Sequence, residues 1–367
     1  MLSLRNFFTR KASAPTLPSP GSDEAPPLEV VVDSAPVFDL AGHLKLHEGY
    51  PIPDWDAVQA WTNGLAPIEL QGRAWGAVER AWLLHMREAL GPAFRLRESG
   101  DVLLLSSLEP NIARATVDYM ERTLGRVVKL LDGIARIPPL GKDLLVVFDD
   151  DESYYRYVSC YYPDAGEFAF SGGMHIDAGC SHYVTVKNDL RAIEPVIAHE
   201  MTHGCVGHLP LPVWLNEGLA VNTEHRLAGA RSTHTQQQLR SKHLVFWGAH
   251  EIQEFWSGKS FLRTDDGNLL SYDLARLLVE QLAKNWESFA PFVLAADQVD
   301  AGAAAARLHF DVDLGEFVCA LFDQEPSPAW SPDPNVWTTE RPTAASPAST
   351  RPCATTSPTR PTTACGK

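Results

Sequence analysis

Residues 193–220 read Ile193-Glu-Pro-Val-Ile-Ala-His199-Glu200-Met-Thr-His203-Gly-Cys-Val-Gly-His208-Leu-Pro-Leu-Pro212-Val-Trp214-Leu-Asn216-Glu217-Gly-Leu-Ala220, and this stretch decides the fold. His199–His203 is an HExxH pattern. On a helix, side chains four residues apart lie on one face about one turn apart, so the two imidazoles can bind one zinc ion. Glu200 sits beside the first ligand, where a carboxylate reaches the metal's water without being a ligand itself. In a chain of this composition the pattern arises by chance about 0.03 times. Its setting is also helical, with Ile193, Val196 and Ile197 as a buried face before it and Gly204 and Gly207 as a break after it. The helix starts either at an Asn188 or Asp189 cap, with Pro195 inside its first turns, or at Pro195 itself, where a missing N–H costs nothing.

A catalytic zinc takes three protein ligands and keeps one position open. The metzincin continuation HExxHxxGxxH fails here, since Val206 and Leu209 stand where Gly and His are needed. All five methionines (1, 86, 120, 174, 201) lie at or before the motif, so there is no downstream Met-turn. Glu217, fourteen residues after His203, is the better third ligand. Pro210 and Pro212 end one segment, a new helix begins near Val213, and two helices joined by a short loop can face each other across a metal. His208 and His225 are the rival third ligands. Asn216 is a candidate for orienting a ligand, or a plain surface residue.

The order strand (His182–Lys187), HExxH helix, short Pro-bearing loop and Trp214-Leu-Asn-Glu-Gly-Leu-Ala220 helix resembles the peptidase-MA-like gluzincins, the zinc metallopeptidases related in their core to thermolysin. The likeness covers about residues 100–290. The spacing from His203 to Glu217 is shorter than in thermolysin, which leaves room only for a tight connection. The resemblance implies His199, His203 and Glu217 as ligands of Zn²⁺ and Glu200 as the catalytic base. It implies an edge strand beside the active-site helix that pairs with substrate backbone, for which His182–Lys187 is in the right sequence position. It also implies a Tyr or His on a later helix as donor to the oxyanion. Tyr272 fits that position, with His250, His243 and His234 behind it.

The remaining sequence frames this core. With 31 Lys and Arg against 46 Asp and Glu, the chain of 367 residues carries a formal charge of −15, which argues against a nucleic-acid footprint. No apolar run of about 18 residues exists, so no membrane insertion is expected. The opening Met1–Lys11 segment has positive charges but no apolar stretch behind them, so a secretory signal is not expected, a transit peptide stays open, and a cytoplasmic location is the expectation. Six cysteines, none in CxxC, suggest reduced thiols, with a Cys160–Cys180 bridge as the alternative. Trp75, Val78, Trp82, Met86 and Leu90 recur at helical spacing, and a second long helix is expected over 110–134. Residues 101–106 and 143–148 read as buried strands. Glu167–Phe170 runs into Gly172-Gly173. The expected fold is α+β, a gluzincin-like core with a small mixed sheet packed on the HExxH helix and a mainly helical C-terminal part. The expected organisation is a disordered segment at 1–27, a region without a nameable motif at 28–97, a metallopeptidase domain at 98–323, and a disordered Pro/Thr/Ser-rich tail at 324–367. Residues 228–262, with Trp247, Phe255 and Trp256, either cover the cleft or pack in the core. The expected activity is zinc-dependent hydrolysis of peptide or protein substrates. The alternatives are a zinc module that hydrolyses nothing, or a scaffold that recruits partners through its tails.

Overall fold

The structure, a computed structural model, describes residues 24–138, 140–161, 173–187, 190–229 and 234–337. The expected cap at Asn188 or Asp189, the Glu167–Phe170 segment, Gly172 and most of both tails lie outside these residues. Two small hairpins come first: β1 (Glu29–Val30) with β2 (Phe38–Asp39), then β3 (Leu44–His47) with β4 (Tyr50–Pro53). Helices α1 (Trp55–Asn63) and α2 (Ile68–Leu90) follow. The central sheet is built from β5 (Arg95–Ser99), β6 (Val102–Ser106), β7 (Asp143–Phe148), β8 (Gly173–Ala178) and β9 (Cys180–Val186), in the order β5-β6-β7-β9-β8. The three inner strands are parallel and both edge strands are antiparallel to their neighbours. Helix α3 (Pro110–Leu130) crosses from β6 to β7, and α4 (Asp151–Ser159) follows β7. The rest is helical: α5 (Leu190–Val206), α6 (Val213–Ala228), α7 (Gln236–Phe246), α8 (Ala249–Ser257), α9 (Asp266–Leu282), α10 (Trp286–Ala295), α11 (Ala303–Phe310) and α12 (Leu314–Leu321). The fold is thus α+β with a small mixed sheet. None of the helices among the described residues is long and apolar enough to cross a membrane.

The apolar runs of β6 and β7 have a direct cause. Both faces of the sheet are covered, so neither strand has a solvent side that would call for alternation. Val102, Leu104, Leu145, Val147 and Tyr183 face α3 and α5, where they meet Met120, Ile197 and Met201. Leu103, Leu105, Leu144, Val146 and Val184 face the other way, onto Val78, Trp82, Tyr154 and Tyr157.

Several sequence expectations are corrected. Within residues 28–97, α2 joins α4 in covering one face of the sheet, and the expected boundary at 97/98 falls inside β5. The strand at His182–Lys187 is not an edge. It is β9, paired with β7 on one side and β8 on the other, and β8 forms the edge. His182 is buried because it finds partners inside. His182 Nε2 meets Tyr157 Oη at 2.8 Å and its Nδ1 meets Cys180 O at 2.9 Å. The HExxH helix starts at Leu190, so Pro195 lies inside it rather than at its start. The C-terminal boundary also moves. Residues 324–337 fold back, with Trp330 and Trp337 buried. Gln253 on α8 donates to Ala329 O and Ser331 O and accepts from Trp337 Nε1. Two large apolar anchors thus fix a stretch whose prolines suggested disorder. Among the described residues Cys160, Cys180, Cys205 and Cys319 form no disulfide, so the Cys160–Cys180 bridge is not present. Trp247, Phe255 and Trp256 are core residues.

One buried acid on α2 gives the fold a pH dependence. Glu79 is 2% exposed and accepts from the Lys142 N–H at 2.8 Å and from Cys180 Sγ. Burial pushes its carboxyl up from 4.5 to about 8, against the donors that favour ionisation. The folded state therefore binds the extra proton between those values. The stability this proton confers is complete below the unfolded value and is lost as pH rises through the folded one. The denaturant midpoint is expected to fall between pH 5 and pH 9, and Glu79→Gln should flatten that fall. Asp143, which burial raises to about 6, preserves part of the slope. An equally steep decline in the variant would remove Glu79 as the cause.

Candidate metal centre

The site lies where α5 and α6 face each other. Ile193, Ile197, Met201 and Cys205 bury one face of α5 against the sheet and α3. His199 and His203 then project from the face toward α6. Pro212 caps α6 in an extended conformation, and Trp214, Leu215 and Leu219 anchor that helix in the core. Glu217 is thereby turned toward the imidazoles. Gly218 permits the next contact: a Cβ there would stand 2.6 Å from Ala275 O and from Val279 Cγ2. Its absence lets α9 close on α6, which brings Tyr272 to the same region.

His199, His203 and Glu217 each offer a ligand atom within 4.8 Å of the others. Glu217 Oε2 lies 3.3 Å from His199 Nε2 and 3.6 Å from His203 Nε2. Ligand atoms about 2.0–2.1 Å from a tetrahedral ion are about 3.4 Å from one another, so the spacing suits such an ion. The other two ring nitrogens are already engaged. His199 Nδ1 donates to Glu224 Oε2 at 3.2 Å, and His203 Nδ1 donates to Asn216 Oδ1 at 3.0 Å. This fixes both tautomers and aims both Nε2 lone pairs at Glu217 Oε2, which is buried and has no hydrogen-bond donor. Three electron-pair donors thus converge on one point with nothing positive between them. Imidazole nitrogens with one carboxylate oxygen are a donor set for a first-row divalent cation. The proton affinities report the same deficit of positive charge. Burial works against the charged form of His199, yet the neighbouring carboxylates of Glu217 and Glu224 raise it well above the usual imidazole range. His203 is raised in the same way by the charge of Glu217. Burial should raise Glu217, but the two imidazoles pull its carboxyl far below the ordinary range.

Glu200 is buried beside this group. Burial raises its carboxyl, while the imidazoles and a hydrogen bond from the His175 N–H oppose the rise. Tyr272 feels the charge of Glu217 first, then burial, then the charge of Glu200, and all three keep its phenol protonated. Its ring is held edge-on against Phe261. The rivals do not join the cluster. His208 is exposed on the loop and His225 lies outside the converging group. His250 is 77% exposed, and His234 precedes the Thr235 cap of α7. His243 is bound at both nitrogens, by Asp273 and Trp247.

Two residues near the site were not singled out from the sequence. Glu224 is seven positions after Glu217, two helical turns along the same face, and that spacing is the signal that could have found it. His175 on β8 stacks on His203, and no sequence pattern marks it. No protein-family model matches this sequence, and no curated protein matches it.

Proposed function

We propose that this chain is a zinc-dependent peptidase of the gluzincin type. The observation that carries the reading is the unpartnered Glu217 Oε2 facing two Nε2 lone pairs at tetrahedral spacing. His199, His203 and Glu217 would hold the ion. A bound Zn²⁺ supplies Lewis acidity, which acidifies water and polarises the scissile carbonyl. Glu200 takes the proton of the attacking water and returns it to the leaving amine. A buried carboxylate of raised proton affinity is suited to both steps. Tyr272, kept protonated by the adjacent charge, donates to the oxygen on which negative charge develops. Strand β8, the edge of the sheet among the described residues, is offered to substrate backbone in place of the strand expected from the sequence. A structural zinc site has no use for a buried carboxylate in the position of Glu200, and it usually carries four ligands richer in Cys. The test is elemental analysis of the purified protein, followed by a peptide-library digest with and without chelator. One zinc per chain and chelator-sensitive cleavage support the reading. Zinc without cleavage leaves a binding module, and neither zinc nor cleavage removes both.

A further inference from the structure

His203 is supported from two sides. On the α6 side Asn216 holds its Nδ1. On the sheet side it meets a row of rings. His175 stacks on it with centroids 6.2 Å apart and planes 20° apart, and Tyr183 lies 5.2 Å beyond His175. His175 Nε2 is tied to Ser181 Oγ at 2.7 Å. Tyr183 is buried, and its hydroxyl donates to Asp143 Oδ1 at 3.2 Å. That acceptor is itself fixed at the start of β7, where the Asp143 N–H donates to Asp101 O at 2.7 Å.

The same hydroxyl presses on the HExxH helix. A Cβ at Gly204, the residue after His203, would stand 2.3 Å from Tyr183 Oη and 3.5 Å from Cζ. The phenol oxygen thus occupies the space any side chain at 204 would need. A buried carboxylic acid in a core is costly unless it is hydrogen-bonded, so Asp143 is an expensive way to hold a tyrosine unless its position matters.

We propose that Tyr183, held by Asp143, is a positioning residue for the metal centre. Its hydroxyl seats the C-terminal half of α5 through Gly204 and so sets where His203 presents Nε2 to Glu217. The inference rests on the triad being a metal site, but it concerns residues outside the triad.

A double-mutant cycle in the full chain tests it, with Zn²⁺ affinity measured against a competing chelator and the Co²⁺ absorption spectrum read as ligand geometry. Gly204→Ala should lower affinity about 10-fold, the low end for residues that orient ligands, and shift the cobalt spectrum. Tyr183→Phe should cost less, because the ring stays. In the double variant the new methyl meets only a ring carbon at 3.5 Å and refills the volume the hydroxyl left. Affinity and spectrum should return to within about 3-fold of the parent. If Gly204→Ala does not fold, Asp143→Asn and Asp143→Leu replace it: the first keeps an acceptor and parental affinity, the second loses affinity as Tyr183→Phe does. Additive effects around the cycle, an unchanged cobalt spectrum in Gly204→Ala, or equal affinity in both Asp143 variants would overturn the proposal while the metal site stands. A parent chain that takes up no metal overturns both.

Discussion

Glu200→Gln is expected to bind one zinc ion per chain with parental affinity and to lose peptide hydrolysis by at least about 10²–10⁴-fold, the usual contribution of a positioned general base. The two halves of that result have separate causes. Zinc stays because Glu200 is not among the converging donors, and glutamine matches its shape. Its amide oxygen can still accept the His175 N–H that helps to hold the side chain. Hydrolysis goes because an amide cannot take a proton from water at neutral pH. Steady-state digestion of a peptide substrate beside metal analysis checks both. Parental turnover in the variant would end the proposed role of Glu200, and lost zinc would make its role structural.

Glu217→Ala should have the largest effect on metal affinity, well beyond the 10–100-fold that accompanies loss of an outer partner such as Glu224. It removes one of three donors and the carboxylate oxygen that lies within 3.6 Å of both Nε2 atoms. In the metal-free protein it removes the carboxylate that the two imidazoles hold ionised, so parent and variant are each compared with and without zinc. The contrast is measurable by thermal unfolding. At zinc about 1,000 times the dissociation constant, binding stabilises the parent by about 4 kcal/mol, and that increment should vanish in the variant. An undiminished zinc-dependent rise in melting temperature would move the third ligand elsewhere. Glu224→Gln keeps an acceptor for His199 Nδ1 but no charge, and it belongs between parent and Glu217→Ala in affinity.

The local code of the site was legible because it is helical. Four- and seven-residue spacings decide which side chains share a face, so His199 with His203 and Glu217 on the next helix could be read from the chain. The same arithmetic reaches Glu224. Tertiary placement was not legible. His182, Thr185 and the strand around them look amphipathic, yet the pairing of β8 with β9 and the Tyr157 hydroxyl bury them. Sheet order depends on contacts far apart in sequence, and nothing local announces which strand takes the edge. The C-terminal stretch failed for a related reason. Composition weighs its prolines, whereas the packing rests on Trp330, Trp337 and a single glutamine on α8.

Because helices clothe the sheet on both sides, the half that carries His199, His203 and Glu217 cannot be excised. A fragment opening at residue 98 would sever β5 and strip Trp82 and Val78 from Leu103, Leu105, Leu144 and Val146, leaving a greasy plane open to water and to other copies. A fragment ending at residue 323 would lose both tryptophan pegs that close the far end. Anyone trimming this chain for expression should keep everything from Glu24 through Trp337 as one indivisible unit.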